Sequence, residues 1–125
     1  MTKDEIEHLA RGFFDAIEKG DIGKVRDTYA FGAVIWHNFD GKESTRDGNL
    51  ATLDGFIKAV PTRRYTERKL DVFEGGFVQR HLLVGKLASG KEVNLAACVV
   101  CQVKDGRITR LDEYFDSAAL AKWRE

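Results

Sequence analysis

The chain predicts an α+β domain, with helices packed on one face of a curved, mainly antiparallel sheet. Three observations carry this. Up to Pro61 the apolar residues recur at helical spacing, interrupted by one β-rich stretch. From Arg63 onward the period changes to two. Gly75-Gly76, Ser89-Gly90 and Asp105-Gly106 then punctuate the second half with hairpin chemistry.

Each element follows from local signals. Thr2 and Glu5 make a capping box, after which Ile6, Leu9, Ala10, Phe13 and Ile17 line one helix face. Gly20-Asp21 stops this helix and caps a short second one, with Ile22, Val25 and Tyr29 on its buried side. Ala33 to Phe39 is rich in β-formers and reads as a strand. Ser44 or Thr45 caps a third helix, which carries Leu50, Leu53, Ile57 and Val60 on one face and ends at Pro61. Four strands follow, Arg64 to Glu74, Phe77 to Leu87, Glu92 to Val103 and Arg107 to Phe115. Asp116 or Ser117 caps a short last helix with Leu120 and Trp123 as its apolar contacts.

Composition narrows the class of function. At 125 residues the chain is expected to form one domain, residues 1–125, large enough to bury a core without staples. Hydrophobic residues at 43% and charged residues at 32% exclude a disordered chain. Twenty basic and twenty acidic residues cancel, so no nucleic-acid partner is expected. No apolar run reaches membrane-spanning length, and MTKDEIEHLARGFF lacks the charge pattern of a signal peptide. The expectation is a cytoplasmic protein with no membrane partner.

Cys98 and Cys101 stand in C-x-x-C spacing but inside the strand-like run NLAACVVCQV. Residues three apart on a strand point to opposite faces, so the thiols are expected to diverge and serve as small buried hydrophobes. No second pair completes a zinc site, and Gly75-Gly76 is a turn with no helix after it to cradle a phosphate. No metal and no cofactor are therefore expected.

Polar residues on strands otherwise built from apolar ones suggest a pocket. They fall in Ile35-Trp36-His37-Asn38 and in Lys104 to Ser117, KDGRITRLDEYFDS. Together with the Phe13-Phe14 helix and its Gly-Asp break, Val34 to Asn38, Asp105-Gly106-Arg107-Ile108 and Glu113-Tyr114-Phe115-Asp116 give the chain its likeness to a family. It resembles the nuclear-transport-factor-2-like superfamily, and within it the SnoaL-like branch of polyketide-cyclase and ketosteroid-isomerase type, over essentially its whole length. The resemblance implies a cone-shaped domain. N-terminal helices pack on a strongly curved antiparallel or mixed sheet and enclose an apolar cavity, and the outer sheet face makes a homodimer.

By the same resemblance, Trp36 and Asn38 face the cavity as their counterparts do in limonene epoxide hydrolases, and His37 faces away unless a bulge swaps it inward. Leu111, Glu113 and Phe115 point inward, with Asp112 and Tyr114 outward. On the strand Phe77 to Leu87 we take Gln79, His81 and Leu83 as inward, and Arg80, Leu82 and Val84 as outward. Glu113 and His81 are then the candidate catalytic acid–base pair, and Trp36, Asn38 and Gln79 the candidate substrate-binding residues. The competing reading for Glu113 is a structural ion pair with Arg64, Arg68 or Arg80.

Departures from characterised enzymes prune the chemistry. The general base of ketosteroid isomerases falls on Asn38, which cannot abstract a proton. Their oxyanion-hole Asp falls near Cys98 and their helical Tyr among Phe13 and Phe14. In limonene epoxide hydrolases a second Asp is needed where Leu82 stands. An intramolecular aldol closure of SnoaL type asks only for one group that takes and returns a proton in an apolar cavity. The expected function is binding of a small apolar molecule, with cofactor-independent acid–base catalysis of cyclase, isomerase, lyase or hydrolase type. The alternative is a non-catalytic ligand-binding or dimeric interaction module of the same fold.

Overall fold

A computed structural model describes residues 1–125. Its elements run α1 (Lys3–Lys19), α2 (Ile22–Thr28), β1 (Tyr29–His37), β2 (Glu43–Thr45), α3 (Arg46–Ala59), β3 (Thr62–Phe73), β4 (Gly76–Lys86), β5 (Glu92–Lys104), β6 (Arg107–Phe115) and α4 (Ser117–Ala121). A 3₁₀ turn at Lys122–Arg124 closes the chain. The strands form one curved, unclosed sheet in the order β2-β1-β6-β5-β4-β3. β1 and β6 are parallel and every other neighbouring pair is antiparallel. This is the expected α+β architecture, and no helix is long and apolar enough to cross a membrane.

The caps behave as their chemistry requires. The Thr2 hydroxyl accepts from the Glu5 amide at 3.1 Å, and the Glu5 carboxylate accepts from the Thr2 amide at 2.7 Å. Gly20 ends α1 at φ 74°, where a side chain would be strained. Asp105 and Gly106 both take positive φ, 52° and 81°, the pair of values that a two-residue hairpin turn needs.

α1 lays Ile6, Ala10, Phe13, Phe14, Ala16 and Ile17 onto the concave sheet face. They meet Ile35, Phe77, Val99, Cys101, Ile108 and Leu111 in one core cluster. Phe13 packs edge-on to Phe14 and Tyr29, and Phe14 edge-on to Tyr65 and Phe77. Each buried phenylalanine contributes about 2–3 kcal/mol of burial energy. Cys101 lies in this cluster while Cys98 is half-buried on the opposite face, so the thiols diverge as expected.

Three differences from the sequence reading matter. β1 begins at Tyr29, which opens the strand rather than closing the second helix, and ends at His37. The chain turns there, with the Gly41 amide donating to the His37 carbonyl at 3.0 Å. β2 was not expected, because its three residues are all exposed and carry no alternation. β3 holds a bulge at Glu67 (φ 54°), where its register against β4 slips between Thr66 and Lys69.

Next to this bulge Arg68 reaches α1, pairing with Asp15 at 2.9 Å and Glu18 at 3.0 Å. Glu18 also accepts from the Tyr65 amide at 2.6 Å, so the bent strand is tied to the helix. Nearby, Arg63 is buried without a carboxylate. It donates to the carbonyls of Ile17 and Val60, both at 2.9 Å, and of Ile57 at 3.3 Å, satisfying carbonyls at the ends of α1 and α3.

Candidate functional site

The site forms where β1 and β6 run side by side. Ala33 and Ile35 are buried against the helices, and strand alternation carries His37 to the same face. Parallel pairing puts His37 opposite Glu113. Their side chains meet, His37 Nε2 to Glu113 Oε1, at 3.1 Å, with side-chain exposures of 22% and 26%. Burial works to lower the His37 pKa. The hydrogen bond to Glu113, the charge of Glu113 and that of Asp40 outweigh it, so the net shift is upward.

Trp36 consequently lies on the outer sheet face, 5.2 Å from the ring of Tyr114. This corrects the expectation that Trp36 looks inward and His37 outward. Asn38 is exposed just past the strand end. Its amide donates to the Phe115 carbonyl at 2.9 Å and its oxygen accepts from the Phe115 amide at 3.0 Å, which extends the β1–β6 pairing by one step. Asn38 therefore acts on backbone and does not line the cavity, a second correction. On β6 the inward set of Leu111 and Glu113 and the outward set of Asp112 and Tyr114 stand as the resemblance implied.

On β4, Gln79 and His81 are inward and buried, at 1% and 6% exposure. The Gln79 amide nitrogen lies 3.0 Å from His81 Nδ1, which leaves the ring proton on Nε2. The His81 ring lies 4.4 Å from that of Tyr65 and 5.4 Å from that of Phe14. Burial pulls its pKa down, Glu113 pushes it up and Arg68 lowers it further, to about 4, so the imidazole is neutral at pH 7. Glu113 is hydrogen-bonded to His37 and not to His81, and none of Arg64, Arg68 and Arg80 pairs with it.

Glu113 and His37 open onto an interior cavity of about 70 Å³. Phe13, Phe14, Ile17, Leu53, Val99 and Leu111 make most of its wall. Tyr29, Tyr65 and Asn49 complete it, the Tyr29 hydroxyl donating to the Asn49 side-chain oxygen at 3.1 Å. Burial, reinforced by the nearby Glu113 charge, holds both phenols well above their ordinary pKa and therefore protonated. Gln79 and His81 are outside this lining, with the His81 ring against Phe14 and Tyr65 and Gln79 hydrogen-bonded to it. A larger concavity of about 1270 Å³ lies outside, along α1 and α2, but its walls are charged side chains such as Glu5, Arg11, Asp15 and Lys24.

Sequence reasoning named Glu113 and missed the partner beside it. It also missed Tyr29, Asn49 and Tyr65. Tyr29 and Asn49 come from different elements, and only their contact marks them. Tyr65 shares its strand phase with Arg63 and Glu67, so alternation carries no signal that it points inward.

Comparison with known proteins agrees with this fold. Residues 10–111 match the SnoaL-like domain family. No curated protein matches the chain. A candidate polyketide cyclase from Xanthomonas campestris pv. campestris superposes with a TM-score of 0.83 at 16% identity, over 97% of this chain and 95% of that one. IdmH, a candidate polyketide cyclase from Streptomyces antibioticus, gives 0.82 at 19% identity, over 95% and 98%. An epoxide hydrolase of M. tuberculosis, similar to limonene epoxide hydrolases, gives 0.79 at 18%, over 95% and 88%. The cone of helices on a mixed sheet, matched through most of its length, makes this chain a member of the SnoaL-like domain family within the nuclear-transport-factor-2-like fold.

Proposed function

We propose that the cavity binds a small, largely apolar molecule and that the protein is a cofactor-independent acid–base enzyme. Glu113 takes a proton from the substrate and returns it, while His37 holds the other carboxylate oxygen and balances its charge. One observation carries this reading: a carboxylate and an imidazole 3.1 Å apart open into a cavity walled chiefly by apolar side chains. The cyclases and the epoxide hydrolase that share the fold supply the reaction types in view, with likeness of fold as their only warrant. In this reading His81, expected as the second half of the couple, is a neutral group against Tyr65.

The outer sheet face supports a homodimer. Leu82 and Val84 are half-buried there and Tyr114 is 47% exposed beside Trp36, which gives a second copy apolar side chains to cover. The cytoplasm is the proposed setting.

The test is mass spectrometry of whatever co-purifies with the protein. Exchange of that molecule's protons with D₂O would then be followed for wild type and Glu113→Gln. Exchange that needs Glu113 supports the enzyme. A bound molecule that exchanges nothing in either protein moves the assignment to the non-catalytic binding module.

A further inference from the structure

The cavity beside Glu113 holds about 70 Å³, room for a few waters. Small-molecule sites run to about 300 Å³ or more, so part of the roof over the concave sheet face has to move before a ligand fits. Three parts of the chain make that roof. α1 is set into the core by six buried side chains. α3 is tied at its C-terminal end by the Arg63 guanidinium. The segment after β6, which is α4 and the 3₁₀ turn Lys122–Arg124, contains no buried residue.

This last segment sits beside an apolar strip that is continuous with the cavity. Val99 and Tyr65 line the cavity. Ala97 and Leu95 follow Val99 in phase along β5, and Leu83 joins them by pairing with both Leu95 and Tyr65. Leu83, Leu95 and Ala97 are buried, yet they stand outside the core cluster that α1 makes. α4 packs on β5. The Trp123 indole N–H donates to the Asn94 carbonyl at 3.1 Å, and its ring stacks on Phe56 of α3 with centroids 6.5 Å apart. Phe56 lies about one helical turn beyond Leu53, which lines the cavity. The Lys91 ammonium adds a bond of 2.8 Å to the Lys122 carbonyl. Asn38 pins Phe115, so β6 is held to its last residue and the chain can pivot after it.

We propose that Ser117–Glu125 is a hinged strap latched by Trp123, and that lifting it joins the strip of Leu83, Leu95 and Ala97 to the cavity and admits the ligand. The ligand's passage rests on the binding reading above, whereas the motion of the strap does not. Its hold consists of a few peripheral contacts that break and reform without repacking the core, and such elements open more readily than the structure around them.

The first test places a thiol under the strap. Leu95→Cys is made together with Cys98→Ser, which leaves the core residue Cys101 as the native thiol that reports global opening. Labelling by N-ethylmaleimide is followed peptide by peptide with mass spectrometry, with and without Trp123→Ala. Trp123→Ala removes one hydrogen bond and one ring stack, so the Leu95→Cys thiol should label about tenfold faster while Cys101 stays unlabelled. Equal rates with and without Trp123, or Cys101 labelling in step, would overturn the strap. The second test leaves the floor of the strip native. Stopped-flow fluorescence follows entry of N-phenylnaphthylamine, an uncharged aromatic probe too large for the cavity as it stands. Entry should also be about tenfold faster in Trp123→Ala, and an unchanged entry rate would overturn the gate. Accelerated labelling in a protein that never binds the probe would uphold the strap and remove the small-molecule reading of the cavity.

Discussion

Glu113→Gln removes one charge from the dyad and nearly nothing else, so it isolates what the pair contributes to the fold. At the observed 3.1 Å separation, two unit charges attract by about 1 kcal/mol in water and about 5 kcal/mol at an effective dielectric near 20. Exposures of 22% and 26% place the pair toward the wetter end. After desolvation a net coupling of about 1–2 kcal/mol is expected. The folded-state pKa of His37 is raised overall, with burial opposed by Glu113 and Asp40. The charged pair therefore stabilises fully below the unfolded histidine value of about 6.5, and its contribution is lost as pH rises through the raised folded value. Urea unfolding of wild type and variant at about pH 5.5 and about pH 9.5 measures this, since other titrating groups cancel between the two proteins. The stability gap should be about 1–2 kcal/mol larger at the acidic pH, with the m-value unchanged. An equal gap at both values would refute the ion pair as the origin of the His37 shift.

Arg63→Met should cost about 3 kcal/mol in the same unfolding assay, because two carbonyls lose hydrogen bonds of 2.9 Å to a charged donor; a loss under about 1 kcal/mol would mean that water replaces the guanidinium. Asn38→Ala should cost about 1–2 kcal/mol through its two bonds to Phe115 and leave the affinity for the co-purifying molecule unchanged, whereas weakened binding would return Asn38 to the ligand site. Leu82→Arg should halve the mass seen by size-exclusion chromatography with light scattering, and a monomeric wild type would end the dimer proposal.

Much of the fold was legible because its signals are local. The Thr2–Glu5 box, the Gly20 stop, the Thr45 cap and the Asp105-Gly106 turn each depend on a few adjacent residues, and each sits where its chemistry placed it. β2 was illegible for the converse reason, since Glu43-Ser44-Thr45 is a short exposed edge held only by pairing with β1.

The candidate site divides the same way. Glu113 could be found from sequence because it is one charge between Leu111 and Phe115 on an alternating strand. The inward placing of Gln79 and His81 is a choice of phase, since Val78, Leu82 and Val84 are as apolar as Phe77 and Leu83; the structure buries the chosen set. The direction of His37 could not be read from sequence either. Ala33 and Ile35 are apolar, but so are Val34 and Trp36, and a strand that is apolar on both faces carries no periodic signal for which face is inside.

What the sequence by itself determined is the set of helices, turns and most strands, together with the carboxylate at Glu113. What only the tertiary structure decided is the company that carboxylate keeps. His37 reaches it because β1 pairs parallel with β6 across most of the chain. Tyr65 enters the same space from the bent β3, and Asn49 from α3 with Tyr29 holding it. Short-range preferences choose the conformation of each segment. Which side chains share a cavity depends on strand order and on the face that packing buries, and these are properties of the whole chain.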